Sequence, residues 1–575
     1  MAAAGSCTAF HCEGARTEGG HCLAHLRPPE LETLVERLRR GEELNASGAR
    51  VSARRLSELI DALHKGHGEE RPQLPGPARF DGAEFPEGAQ FGFVDFGGDV
   101  SFSGARFAGE AYFALSRFAG AARFDGADFD SAEFFGAEFG ANASFNGSRV
   151  RGEAAFGSAK FKKDAGFQGT RFDSAARFDS AAFSGDAYFY EAQFAATAHF
   201  LATTFLVGGF NSAAFLGPAS FVICNWQDAW FGDARFAKPV QIWLNVAAHE
   251  FAISGARFED ECVIAVATPR LDARRARFGG RTEISARWAE IGLEEATFLQ
   301  GGRLSSAEME FEDDSAAHPQ PAEEHRQEST PRLMTLKRAD VADLALDDLD
   351  LRACQFDGAH DLDQMRLEAN CEFGDPPPLL RYSRRRILAE EHHWRTGKGW
   401  NPPECQRARH PFGRDPSERP QPADIAPVYR ALRKAYEDRK DEPGAADFYY
   451  GEMEMRRHAS REPGGGLSGL ARFWGERAIL DAYWLVAGYG LRASRALAWL
   501  VLVVLAGALL LADSGFVANH HPPAVLFSLE STISLLHAPD AQLTTGGEVI
   551  QVALRLLGPL LLGLALLSLR GRVKR

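Results

Sequence analysis

Phenylalanine recurs every five or six residues from Phe80 to Phe236, a period that no ordinary helix or strand produces. The series runs Phe156, Phe161, Phe167, Phe172, Phe178, Phe183, Phe189, Phe194, Phe200 and Phe205, with intervals alternating between five and six. Two positions before each aromatic stands a small residue, such as Ala154, Ala159, Ala165, Thr170 and Ala176. An amphipathic helix spaces apolar residues three and four apart and a half-buried strand spaces them two apart, so a sustained small-x-Phe-x-x unit belongs to neither. A fixed short period marks a repeat architecture, in which each unit buries its apolar face only against its neighbours.

This unit resembles that of the pentapeptide-repeat family, whose central position is usually Leu or Phe and whose preceding small position is usually Ala. The resemblance covers most of residues 78–300. It implies a mainly β fold, a right-handed quadrilateral β-helix with one short face per pentapeptide and with Phe and Ala both turned inward. The sixth residue on alternate faces departs from the family's strict five and implies a wider corner there. Four faces then consume about 22 residues, and coils stacked ~4.8 Å apart predict about ten coils in a rod about 48 Å long. Stacked rings fill the axis of such a rod, so its interior is dry, has no room for a substrate and is structural.

The formal net charge is −14, and Asp125, Asp128, Asp130, Glu133 and Glu138 fall on outward positions of the repeat. Phosphates are repelled by such a surface, which disfavours direct nucleic-acid binding. A protein partner on this acidic face is expected instead. Cys224, Cys262, Cys354, Cys371 and Cys405 stand alone, which argues for a reducing compartment over a disulfide framework. Met1 to Gly5 leads into a polar segment without the pattern of a signal peptide, so the amino end is expected in the cytoplasm.

That segment carries the first local motif. Cys7, Cys12, Cys22 and His25 read C-x4-C-x9-C-x2-H, with His11 and His21 between them. Thiolates and imidazole at such spacing can hold tetrahedral zinc, and a short glycine-rich stretch without a core has little else to order it. Four protein ligands imply a closed structural site; the alternative is a tail of unpaired thiols.

The remaining segments read in order. Residues 28–76 form a helical cap, with amphipathic helices at Glu30 to Arg40 and Ser52 to Lys65. The main solenoid, 78–300, is followed by an acidic linker, 301–333, and by a final coil, 334–375, marked by Leu336, Val341, Leu346, Leu351 and Phe356. Residues 376–426 hold a basic helix from Leu379 to Arg395 and a Pro-rich linker, and 427–460 a helical hairpin with its turn at Glu442-Pro443-Gly444. The run Glu390-Glu391-His392-His393 lacks the spacing of H-E-x-x-H, and neighbouring histidines on a helix point in different directions, so a solvated or packed helix is expected. No nucleophile with its base, phosphate-binding glycine loop or nucleotide fingerprint occurs elsewhere. No enzymatic activity, no small-molecule substrate and no cofactor beyond one structural zinc are therefore expected.

In the carboxyl part, residues 470–575, Ala496 to Ala512 contains no charge and Val549 to Leu569 is interrupted only by Arg555. Both match the ~30 Å hydrocarbon core of a bilayer and predict two transmembrane helices, preceded by an interfacial helix rich in Trp and Tyr. Arg492 and Arg495 precede the first span, Arg570, Arg572, Lys574 and Arg575 follow the second, and Asp513 to Glu548 holds no Lys or Arg. The positive-inside rule then predicts a multi-pass cell-membrane protein with both termini cytoplasmic. The carboxyl architecture, with A-D-F-Y-Y-G-E-M-E-M-R-R before the spans and R-G-R-V-K-R at the end, resembles bacterial membrane-associated pentapeptide-repeat proteins. The expected function is a membrane-anchored scaffold for protein–protein interaction. Two alternatives stand beside it: a channel-like protein with a degenerate pore loop at Thr545-Gly546-Gly547, and a DNA mimic that binds topoisomerases.

Overall fold

The computed structural model describes residues 7–9, 12–17, 20–64, 71–307, 330–368, 370–376, 385–396, 420–459, 467–517, 523–533 and 541–573. The chain divides into two compact units, one spanning Met1–Glu372 and the other beginning at Phe373. The first is a parallel β-solenoid of about 13 turns. Its strands pair with their counterparts one coil before and one coil after: Ala122–Arg123 lies in parallel register with Val100–Ser101 and with Ala143–Ser144. Phe rings stack down the axis, Phe145 on Phe167 at 4.9 Å and Phe167 on Phe189 at 4.6 Å, with planes 1° apart. Across the axis they meet edge to face, as Phe156 and Phe167 do at 5.5 Å and 89°. Both arrangements suit the ring quadrupole, and together they leave the interior filled. Inward hydroxyls reach backbone carbonyls: Thr170 Oγ1 donates to Phe145 O at 2.7 Å and Thr203 Oγ1 to Phe178 O at 2.8 Å in the coil before, and Ser116 Oγ to Phe113 O at 2.7 Å in its own coil.

The alternation of five and six has its cause in the corners. After Phe145 the chain turns through Gly147 at φ 64°, and after Phe156 through Ser158 at φ 56°; each of these corners leads to the next inward residue, Val150 or Phe161, in five steps. The corners after Val150 and Phe161 have no residue at positive φ and take six. A left-handed residue reverses the chain sharply, and these corners without one take an extra residue, whereas Phe129 to Phe134 and Phe205 to Phe210 turn in five steps with no residue at positive φ between them.

The solenoid begins before residue 78, which corrects the expected boundary. Leu44–Asn45 pairs with Ala78–Arg79 and Gln73–Leu74 with Asp95–Phe96, so the 28–76 cap contains a first, incomplete coil. Between those strands helix α2 (Ala53–His64) takes the place of one face, with Leu56, Leu59 and Leu63 buried. Helix α1 (Pro28–Arg39) buries Leu31, Leu34, Val35 and Leu38. This first coil holds Ala46 and Val51 where the next holds Phe80 and Phe85, so the aromatic period could not reveal it.

Toward the other end the coil shortens rather than fading. Phe80 to Phe102 spans 22 residues, Phe210 to Phe231 spans 21, and Phe258 to Phe278 and Phe278 to Phe298 span 20 each, and all four pairs are stacked. Aliphatic residues replace Phe on another face, where Ile264, Ile284 and Leu304 lie in register. The strand Gly302–Ser306 falls inside the expected 301–333 linker yet pairs with Thr282–Arg287 on one side and Leu344–Asp347 on the other. Arg332–Thr335 pairs with Glu290–Gly292, so the coil of Leu336 to Phe356 continues the same stack. These coils raise the count from the expected ten to about 13; the rest of the linker, 308–329, lies outside the described residues.

The second unit contains helices α3 (Ala389–Thr396), α4 (Pro422–Asp438), α5 (Glu442–Ala459), α6 (Leu467–Ala487), α7 (Ala493–Leu510), α8 (Ala524–Ile533) and α9 (Thr545–Val573). Three expectations change here. Within the helix expected from Leu379 to Arg395, residues 385–388 are not helical and α3 begins at Ala389, because Ile387 bridges Gly374 in antiparallel pairing; residues 379–384 lie outside the described residues. The helix α4 opens at Pro422, inside the expected linker, where a first-turn proline forfeits no hydrogen bond. The hairpin turns at Lys440, φ 62°, and Glu442-Pro443-Gly444 is the first turn of α5. The Pro-rich stretch 397–419 lies outside the described residues.

Candidate metal centre, outer wall and apolar helices

The four residues of the amino-terminal motif come together: one ligand atom from each of Cys7, Cys12, Cys22 and His25 lies within 4.8 Å of all the others. Cys12 Sγ is 3.5 Å from Cys22 Sγ, and His25 Nδ1 is 3.3 Å from Cys22 Sγ and 3.6 Å from Cys7 Sγ. A single 3-10 turn, Leu23–His25, brings the imidazole back onto Cys22. Gly14 allows the close packing, since a Cβ there would stand 3.0 Å from Cys22 Sγ and 3.1 Å from Ala49 Cα. Burial raises the Cys7 thiol, but amides of Ala9 and Cys22 donating to its sulfur at 3.4 and 3.3 Å bring its pKa down to about 6. Burial and the neighbouring Cys12 push Cys22 up to about 12. Ligands ~2.0–2.3 Å from a tetrahedral zinc stand about 3.5–3.8 Å apart, so this donor set fits that ion. His21 lies apart, its Nδ1 3.7 Å from Glu30, and His11 is outside the described residues.

The acidic outer wall is largely occupied by its own neighbours. Asp128 and Asp130 pair with Arg151 at 2.6 and 3.2 Å, and Glu138 with Arg117 and Lys160 at 3.7 and 3.8 Å. Asp125 accepts from the amide of Asn146 at 3.1 Å and Glu133 from that of Phe135 at 3.0 Å. One corner is different. Phe93, Leu115, Ile223 and Leu244 all occupy the left-handed region there, with φ between 54° and 62°. Phe93 is 47 % exposed, its neighbour along the corner Phe135 51 %, and Leu201 and Ile223 are 49 % and 41 %. Bulky and β-branched residues are rare at positive φ and cost ~1–2 kcal/mol each relative to glycine. This corner escaped the sequence reading, although its signal was legible in the residue two places after Phe91, Phe113 and Phe221.

In the second unit the Glu/His run is committed to packing. Glu391 is fully buried; it pairs with Arg385, accepts from Arg395 Nε at 2.7 Å and from Tyr429 Oη at 2.6 Å. Glu454 accepts from Arg457 at 2.8 Å and Tyr489 Oη at 3.1 Å, and Glu452 is held by Arg430, Arg433 and Arg456 at 2.7–2.9 Å. Burial raises the pKa of Glu391 and Glu454, but their cationic neighbours outweigh it and hold both below the ordinary 4.5. His392 Nε2 lies 3.0 Å from Asp375 O. Groups fixed in this way orient helices and have no open side for a substrate.

A family model for pentapeptide repeats matches residues 80–128 and 156–204, with 9 copies. The chain is a pentapeptide-repeat protein. No curated protein and no solved structure matches it. The unbroken register described above extends the pentapeptide-repeat coil beyond both matched stretches.

This pentapeptide-repeat protein also has two helical stretches long and apolar enough to cross a membrane, Ala493–Gly515 and Thr545–Leu569. Between them α8 packs through Phe527, which clusters with Leu511 and Leu554, and through Ser528 Oγ, which donates to Val504 O at 2.7 Å. Outer side chains remain uncovered, Leu509 at 74 % and Leu556 at 69 % exposed. Thr544 Oγ1 donates to Ser514 O at 2.8 Å and accepts from Gly547 N at 3.0 Å, which makes Thr544 the cap of α9. Thr545-Gly546-Gly547 is therefore the first turn of α9.

Proposed function

We propose that this chain is a non-enzymatic scaffold, anchored in a membrane by α7 and α9, whose solenoid binds a protein partner along its outer wall. The observation that carries the reading is the apolar corner of Phe93, Leu115, Phe135, Leu201 and Ile223. Stacked rings leave no interior for a ligand, and Asp125, Asp128, Asp130, Glu133 and Glu138 are engaged within the wall, so the corner is a surface with apolar area still to bury. Backbone strain kept at such positions is a mark of functional sites. The uncovered leucines of α7 and α9 support the anchor, because a bilayer buries them and water does not. Their flanking arginines favour a multi-pass arrangement in the cell membrane with the solenoid on the cytoplasmic side.

The test is a comparison of partners captured from detergent extracts by the intact chain and by Phe93→Ser/Phe135→Ser/Ile223→Ser. Loss of one or more specific partners from the variant is expected, and an unchanged partner list sinks the corner as the binding surface. Planar bilayers holding the purified protein are expected to show no single-channel steps, and topoisomerase supercoiling is expected to be indifferent to it.

A further inference from the structure

We propose that Cys7, Cys12, Cys22 and His25 hold one zinc ion, and that this ion clamps the amino-terminal segment over the open end of the solenoid. The inference is independent of the scaffold reading.

The chemistry of the donors selects the metal. Three sulfurs and one imidazole nitrogen suit a borderline-soft divalent ion, and no carboxylate joins them, which disfavours magnesium and calcium. Separations of 3.3–3.6 Å between neighbouring donors lie close to the ~3.5–3.8 Å of ligands around one tetrahedral zinc. The two closest sulfurs, at 3.5 Å, are well beyond the ~2.05 Å of a disulfide. Amides donating to Cys7 Sγ supply the outer support that metal thiolates use. With four protein donors no coordination position is left for a substrate, so the role is structural.

The location explains why a clamp is needed. A solenoid's first coil exposes unpaired strand edges and must be covered. Here that coil is incomplete and small inside, with Ala46 and Val51 where later coils carry Phe. Among the described residues the covering segment meets it through Ala15 N, which donates to Ser47 O at 2.7 Å, through Leu26 O, which accepts from Arg55 at 2.7 Å, and through the close approach of Gly14 to Ala49. Leu23 and Leu26 are among the few large apolar side chains it buries. A segment with so little core is ordered by a cross-link, and metal binding then becomes part of its folding free energy.

The experiment uses the full-length protein purified in detergent. Elemental analysis should find about one zinc per chain, and exchange into cobalt should give the absorption of a tetrahedral thiolate site. Cys7, Cys12 and Cys22 should resist alkylation until a chelator is added, when protease should cut within residues 7–26 while the coils from Ala78 onward stay intact. His25→Cys should keep the zinc, and Cys22→Ser should lose it. If Cys22→Ser fails to fold, the cobalt spectrum and thiol protection of the unaltered chain still decide. Absence of zinc with all three thiols freely alkylated, or a Cys12–Cys22 disulfide in protein prepared under reducing conditions, overturns the proposal.

Discussion

Phe167 sits between two parallel rings, 4.9 Å from Phe145 and 4.6 Å from Phe189, and each of those rings depends on it in turn. Truncation to Ala would remove both stacking partners at once. Phe167→Ala should cost ~3–5 kcal/mol, read as a lower urea midpoint for loss of the solenoid's β signal. A smaller effect is expected at a corner. Gly147→Ala places its Cβ in open space, with nothing within 4 Å, yet it should destabilise by about 1 kcal/mol because φ is 64°. Ser158→Gly, at φ 56°, should shift the same midpoint upward, and a downward shift would refute the corner argument. The inward Phe and Ala were legible because they are chemically uniform. The corners are harder to read, since Gly147, Ser158 and Phe93 share a backbone conformation without sharing a side-chain type.

Among the helices, three buried glutamates hold the second unit's elements in place. Removing Glu391 takes the shared carboxylate from Arg385, Arg395 and Tyr429 and leaves Arg385 buried without its ion-pair partner, so Glu391→Ala should cost ~3–5 kcal/mol in the thermal unfolding of the helical signal. The same carboxylates set a pH dependence. A group whose folded pKa lies below 4.5 contributes stability that is complete above that pH and is lost as pH falls toward the folded value. Helix content of the full chain in detergent should therefore hold from neutrality to about pH 5 and decline below pH 4.5. Retention of full stability down to pH 3 would contradict this role for the pair. From sequence, Glu390 to His393 reads as a solvated or packed helix, and the burial of Glu391 decides for packing. The partners of that residue are not legible there, because Tyr429 lies 38 positions away and no local pattern links them. The helix starts at Ala389 and Glu442 were misread for a related reason: charge and proline suggest boundaries, while long-range bonds to tyrosines and bridges such as Gly374 to Ile387 decide them.

For the whole chain, the repeat and the two apolar helices were readable from composition and period, whereas the extent of the solenoid was not. Its ends trade Phe for Ala, Val, Ile and Leu, and its last coils trade 22 residues for 20, so one fixed template loses them. At this scale the anchor is open to test. Leu505 lies 51 % exposed near the middle of the first apolar stretch, and Leu505→Arg should weaken insertion by ~2.5–3.5 kcal/mol. Alkaline extraction should leave the native chain in the membrane pellet and release part of the variant; equal retention would argue against that helix as a span. The interrupted coil has a practical consequence. The described wall pauses at Ala307, hydrogen-bonded to Ala286, and resumes by Arg332, hydrogen-bonded to Ala289, and the coils on either side keep their register. A solenoid whose pairing runs from coil to coil accepts such an excursion at small entropic cost. A fluorescent domain grafted there would ride at a known height on the stack, and the protein would become a molecular ruler against which the position of anything docked on its wall could be read.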